Sequence, residues 1–252
     1  APDDADEVHF MSTVYTKSLD GGVTFSSIFG GDNHDMWIDP LLPDRMIIGN
    51  DGGVRISTNR GRNWYQPLLP IAQMYHVYTD TKVPYNLYGN RQDGASRGGP
   101  SNSLSGGSIP ISAFKSVGGC ESGFAIPDTV TNDVVWSGCY EGILDRHQPS
   151  TGITRTVSVW PDNPEGWSAG DVQYRFQWTF PIAISPYDGE TVYAGSQHVH
   201  RTTNGGQSWD VISPDLTRND LSKQQKTGGL TTEDVSPTYA SVLFAIAESS
   251  VE

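Results

Sequence analysis

Positive charge is scarce in this chain: 16 Lys and Arg stand against 29 Asp and Glu, a formal net charge of −13. That surplus repels phosphate backbones, so nucleic acid is not an expected partner, whereas cations and neutral ligands such as sugars are tolerated. A plainer use of the same acidity is to keep a protein soluble. Long apolar runs are missing too. No window reaches the ~18 residues that a helical membrane span requires. No charged-then-apolar leader is visible, and "APDDADEVHF" at 1–10 is expected to be either a mature terminus or an internal cut. Cysteine is limited to Cys120 and Cys139, too few for a small disulfide scaffold. Long amphipathic helical patterns are absent as well. What remains is rich in turn formers, with 28 Gly and 16 Pro, and 10% of residues are aromatic. The composition is that of a β protein.

Repetition organises it. "SLDGGVTF" (18–25), "STNRGRNW" (57–64) and "TTNGGQSW" (202–209) share one pattern: a hydroxyl, Asp or Asn two residues on, Gly two further, and an aromatic at the end. Around two of these boxes, 36–65 and 181–210 align throughout. Each reads as a short apolar strand, a turn, a second strand ending in Gly, a third strand entering the box, and a fourth starting at Trp. Weaker copies occupy 123–159 and 75–94. Taking Ile38, Tyr78, Ile126 and Ile184 as equivalent gives spacings of 40, 48 and 58 residues. Four strands at that period predict an all-β fold, a β-propeller of four-stranded antiparallel blades. The expected divisions are a partial blade at 8–35, blades at 36–74, 75–117, 118–172 and 173–216, and an insert with the start of a further blade at 217–252. That is about four full blades plus two partial ones. Unpaired sheet edges at both ends lead to the expectation of a longer polypeptide, or of a partner that completes the ring.

The boxes have a structural explanation. Asp20, Asn59 and Asn204 accept backbone N–H bonds in the turn. Gly22, Gly61 and Gly206 supply conformational freedom, and Phe25, Trp64 and Trp209 bury a ring between neighbouring blades.

With the boxes in place, the chain resembles the bacterial sortilin-like proteins with Asp-box (BNR) repeats, often labelled glycosyl-hydrolase-like. The resemblance runs from about residue 8 to 252. Its most specific stretches are "GGDNHDMWIDPLLPDRMIIGNDGGV" (30–54), "YRFQWTFPIAISPYDGETVYAG" (174–195) and "WDVISPDLTRND" (209–220). It implies an exported protein, extracellular or periplasmic, that binds protein or glycan, often as one module of a longer chain. It supplies no catalytic motif that transfers to named residues.

Antiparallel order sorts the loops of each blade onto two faces. First-to-second and third-to-fourth turns share the box face, and second-to-third loops with the inter-blade links share the other. The second face is expected to gather Asp32, His34, Asp35, Trp37, Asp51, Arg91, Asp93, Arg97, Glu121, Tyr140, Glu141 and His198 as a ligand rim. Asp35, Asp51 and Asp93 are the candidates for a glycoside-hydrolase carboxyl pair, which needs two acids ~5–9.5 Å apart. Trp37 and Tyr140 are candidate sugar platforms. The competing reading is that Gly-flanked acids simply make turns and face water. A sialidase-like arginine cluster would draw on Arg91, Arg97 and Arg175, although nothing in their spacing demands it. No cofactor motif is present. Calcium has candidate ligands in Asp32, Asp35 and Asp51. His198 and His200 alternate along a strand, a zinc pair lacking a third ligand.

If strands at 124–127 and 134–138 form a hairpin, Cys120 and Cys139 meet at its open end, which predicts a disulfide. Two reduced thiols are the alternative. The Gly- and Ser-rich link at 97–112 is expected to be mobile or to lie over the rim. The insert at 161–178, with Trp160, Trp167 and Trp178 in or beside it, reads as cover for blade edges. The stretch 217–239 reads as a polar surface excursion. The functional expectation is a non-catalytic binding or scaffold module, with a polysaccharide-acting glycoside hydrolase as the alternative.

Overall fold

The computed structural model describes residues 1–69, 71–104, 106–162, 164, 167–226 and 241–251. Residues 227–239 of the expected surface excursion lie outside the described residues, as do residue 105 of the link and residues 163, 165 and 166 of the insert. The chain is all-β, with several antiparallel sheets, and divides into Ala1–Ile71 and Ala72–Glu252.

In the first unit, β1 (Val8–Phe10), β2 (Val14–Ser18) and β3 (Ser26–Gly30) form one sheet, and β4 (Asn33–Ile38), β5 (Met46–Asn50) and β6 (Gly53–Ser57) form another. The fourth strand expected after Trp64 reduces to one bridge between Ile56 and Tyr65, closed by bonds of 2.9 and 2.8 Å. The next ladder position falls at Pro67, which has no N–H to give. Period-two alternation along β5 buries Met46 and Ile48 while Ile47 stays 40% exposed. On the neighbouring sheet Tyr15 is fully buried, and its ring meets Phe29 at 5.2 Å and Trp64 at 6.0 Å. Arg55 caps the cluster 3.9 Å above Phe29. Glu7 is buried beside Lys17 Nζ (2.6 Å), Arg60 and His9. Burial alone would push its carboxyl up; hydrogen bonds from Lys17 and Arg60 override that and hold it below the usual range.

The second unit contains three four-stranded meanders. They are β7 (Met74–Thr79), β8 (Asn86–Arg91), β9 (Gly94–Pro100) and β10 (Lys115–Ser116); β11 (Ala125–Pro127), β12 (Val135–Gly138), β13 (Leu144–Gln148) and β14 (Ile153–Thr156); and β15 (Ile182–Ile184), β16 (Val192–Gly195), β17 (Val199–Thr202) and β18 (Asp210–Val211). The link expected to begin at Arg97 begins later, because residues 97–100 belong to β9. Gly98 and Gly99 are strand residues there for packing reasons: a Cβ on Gly98 would come 2.7 Å from the Tyr88 ring, and one on Gly99 would come 2.5 Å from Phe114. Trp136, Leu144, Val157, Phe176, Phe180, Ile182, Val192 and Ala194 form the core between the second and third meanders. A smaller cluster of Tyr88, Val117, Ala125 and Val135 joins the first meander to the second.

Strands β4, β7, β11 and β15 are each followed by a residue whose side-chain oxygen ties the turn. Asp39 follows β4 and accepts from the Leu41 and Leu42 amides. Asp80 follows β7 and accepts from Asn86 N at 2.8 Å, and Asp128 follows β11 and accepts from Val130 N at 2.8 Å. Ser185 follows β15 in the same place. Residues 241–251, expected to open a further blade, form no strand; among the described residues their one backbone–backbone bond runs from Leu243 N to Ser196 O at 2.8 Å.

Candidate functional site

The three boxes repeat one hydrogen-bond network. In each, the leading hydroxyl accepts from the glycine amide: Ser18 from Gly22 (2.9 Å), Ser57 from Gly61 (2.9 Å), Thr202 from Gly206 (3.0 Å). In each, the Asx Oδ1 accepts from the amide four residues on: Asp20 from Thr24 (2.8 Å), Asn59 from Asn63 (2.9 Å), Asn204 from Ser208 (3.1 Å). The glycines sit at φ of 91°, 75° and 81°, where a side chain is strained. Ser18 and Thr24 hydroxyls draw the Asp20 carboxyl down to about 2, which suits a turn staple and not a proton donor. Trp64 packs edge-on to Tyr15 and Phe29, and Trp209 to Trp136, whereas Phe25 is 46% exposed.

The rim residues of the first unit lie partly on a strand. "GGDNHD" was expected to be a loop, but Gly30 ends β3 and Asn33 begins β4, which leaves only Gly31 and Asp32 between them. Asp32 takes a φ of 44°. His34 Nε2 contacts Asp51 Oδ1 directly, Asp35 Oδ1 accepts from Met36 N at 2.8 Å, and Trp37 is 50% exposed. An open depression of about 550 Å³ is lined by Glu7, His9, His34 and Asp35 among others.

In the second unit the β8–β9 turn carries Asp93 at φ 54°. The Gln92 amide nitrogen donates to both Asp93 Oδ1 (3.1 Å) and Glu121 Oε2 (3.0 Å), and Tyr75 donates to the oxygen of the same amide. Arg91 faces Gly94 across the β8–β9 turn, and Arg97 faces Gly89. Tyr140 and Trp178 set their rings 5.5 Å apart. Glu141 is buried at φ 63°, so it is part of the loop's interior rather than a solvent-facing rim residue. Arg175 is buried and bonded to Asp215 Oδ2 at 3.1 Å and to Ser241 O, which withdraws it from any substrate-facing arginine cluster.

His198 and His200 do point the same way, with ring centroids 6.3 Å apart. Their partners are Ser213 O and Ser196 Oγ. Burial, with His198 second, pushes His200 down to about 4. The described residues contain no group of three or more His, Cys, Asp or Glu placed to hold a metal.

Cys120 and Cys139 form a disulfide with Cα atoms 4.8 Å apart. The β11–β12 hairpin pairs Ala125 with Ser137 and so closes the strands toward the two cysteines. Asn90, fully buried, lies alongside: its amide nitrogen is 3.3 Å from Cys120 O, 3.0 Å from Ser122 O and 3.1 Å from Gly138 O.

A second concavity was not anticipated. About 470 Å³ lies against the second and third meanders, lined by their first-to-second turns, by the third box, and by Trp136, Arg146 and Arg155. It opens at the box ends of these strands, opposite to the loops that carry Tyr140 and His198. The available signal was the hairpin register: a turn at Pro149–Gly152 places Arg146 across from Arg155.

No family model and no curated protein matches the sequence. Among solved structures, the chain is similar to a GH74 enzyme from Niastella koreensis at 14% identity, covering 83% of this chain and 37% of that one, with a TM-score of 0.37. It is similar to YCF48 from Cyanidioschyzon merolae at 16% identity, over 84% and 71% of the two chains, with a TM-score of 0.35. It is also similar to an auxiliary nutrient binding protein from Bacteroides thetaiotaomicron at 11% identity, over 83% and 49%, with a TM-score of 0.38. The chain spans 30 to 38% of the length of the three GH74 enzymes among these matches. Likeness at this level carries no activity from those proteins to this one.

Proposed function

We propose that this chain belongs to an exported sortilin-like β-propeller, its sheets serving as blades, and that it acts as a non-catalytic binding or scaffold module for protein or glycan. Three meanders of identical strand order and three identical box networks support the blade reading. The Cys120–Cys139 bond supports an oxidising compartment, extracellular or periplasmic.

One observation carries the preference for binding over hydrolysis: the nominated acids are already engaged by the protein. Glycoside hydrolysis needs two carboxyl groups presented to one bond across an open gap. Asp51 contacts His34, Asp35 accepts from its neighbour's amide, and Asp93 and Glu121 converge on the single Gln92 amide.

The test incubates the full chain with a panel of polysaccharides, with and without calcium because Asp32, Asp35 and Asp51 offer hard oxygen donors. Retention in affinity electrophoresis is read beside release of reducing ends, and a pull-down with the intact protein covers protein partners. Retention or capture without new reducing ends is expected. Reducing ends that disappear in Asp51→Asn or Asp93→Asn would replace this reading with a hydrolase.

A further inference from the structure

In the second meander, Arg155 on β14 is paired with Arg146 on β13, and Arg146 is paired in turn with Trp136 on β12. Directly paired residues of an antiparallel sheet share a face, so these three form one row. All three line the cavity of about 470 Å³. Two like charges set opposite each other weaken a sheet. The ordinary relief is a carboxylate from the protein, and among the described residues none is ion-paired with Arg146 or Arg155. Among the described residues the ion-paired arginines are Arg45, Arg60, Arg175 and Arg201.

Of the three acids in the cavity wall, Asp128 and Asp133 are committed elsewhere. Asp128 accepts from the Val130 amide at 2.8 Å and the Thr131 amide at 3.0 Å. Asp133 accepts from Ser150 Oγ (2.6 Å), Ser150 N (2.9 Å) and Gln148 Nε2 (3.0 Å), and these donors, the Ser150 hydroxyl foremost, hold its carboxyl below the usual range. Glu190 and Gln207 also line the cavity, and their side chains make no hydrogen bond among the described residues.

We propose that this cavity binds a carboxylated sugar, a uronic-acid unit of a glycan. The Arg146 and Arg155 guanidinium groups take the carboxylate, and Glu190 and Gln207 take ring hydroxyls. The chemistry fits each part. Guanidinium forks bind carboxylates through paired N–H bonds. An unbonded carboxylate and amide match hydroxyl donors and acceptors, and the volume lies within the ~300–1,000 Å³ range of small-ligand sites. A glycan is favoured over an acidic peptide because Glu190 would repel a run of carboxylates, whereas a uronic acid brings one negative charge per ring. The proposal does not depend on the loops that carry Tyr140 and His198, which lie at the other ends of these strands.

The test is calorimetry on the full chain at low salt with four probes. These are a glucuronate-containing oligosaccharide, its neutral glucose counterpart, a short Asp/Glu peptide and inorganic phosphate. The uronate probe is expected to bind, and to weaken at least about tenfold in Arg155→Met and on raising salt. Arg155→Lys should recover only part of the loss, since a point charge does not reproduce the fork. Arg155 is exposed and opposes a like charge, so the variants should melt no lower than the parent, and Arg218→Met, an exposed arginine outside the cavity, should bind like the parent. The proposal is overturned by absence of uronate binding at millimolar concentration, or by unchanged binding in Arg155→Met. It is equally overturned if the neutral sugar, the peptide or phosphate binds as tightly.

Discussion

Trp209 donates its indole N–H to the Val157 carbonyl, 2.9 Å away, and meets Trp136 edge-on at 6.4 Å. Trp209 ends the third box, Val157 follows β14, and the bond therefore fastens one meander to the one before it. Trp209→Ala removes the ring and the bond, and is expected to cost about 3 kcal/mol of unfolding free energy in urea melts. Trp209→Phe keeps most of the packing and should cost about 1 kcal/mol. Equal losses in the two variants would contradict a role for the bond.

The repeated network makes a matched pair of predictions at the same turn. Asn204→Ala leaves the Ser208 amide without its acceptor and should cost about 1 kcal/mol. Asn204→Asp should be close to neutral, because Asp20 holds the equivalent place in the first box. Gly206→Ala should be worse than either: its φ is 81°, and a Cβ there would lie 2.6 Å from Val157. Thermal melts of the three variants rank the effects directly.

His200 gives stability a pH dependence. Burial lowers its folded pKa to about 4 from the ordinary 6.5, so the unfolded chain binds a proton that the folded one refuses. The contribution is complete above pH 6.5 and is lost as pH falls from 6.5 through about 4, on the order of 3 kcal/mol in all. The stability difference between the parent and His200→Gln should therefore shift against the parent over that window. An imidazole that titrates near 6.5 by NMR in the folded protein would refute the assignment.

Reduction tests the covalent tie. Opening Cys120–Cys139 should cost about 3 kcal/mol and add two hydrogens to the mass. Because Asn90 bonds the carbonyls of Cys120 and Gly138, the Cys120→Ser/Cys139→Ser protein should lose amide protection along β8 as well as in the bridged loop. Loss confined to the loop would show that the buried amide does not couple them.

How legible was this in the residues themselves? The boxes were, because their spacing encodes a local network that needs nothing from elsewhere in the chain. The disulfide was, because a hairpin's register follows from its turn. Strand limits were not always so: Gly98 and Gly99 look like linker residues, yet they are strand residues because Tyr88 and Phe114 occupy the space a side chain would fill. The arrangement of acids around Gln92 was not legible either, since it depends on Glu121, 28 residues beyond Asp93, returning to the same corner. Nor were Arg146 and Arg155, because a cross-strand pair has no signature in a short window.

Each box closes within seven residues, from Ser18 to Thr24, Ser57 to Asn63 and Thr202 to Ser208. Loops that short form rapidly and at small entropic expense, so these corners can be in place while the chain is still largely open. The indoles of Trp64 and Trp209 reach beyond those local loops to rings of the neighbouring sheet, so they act as latches on seams whose corners close on their own.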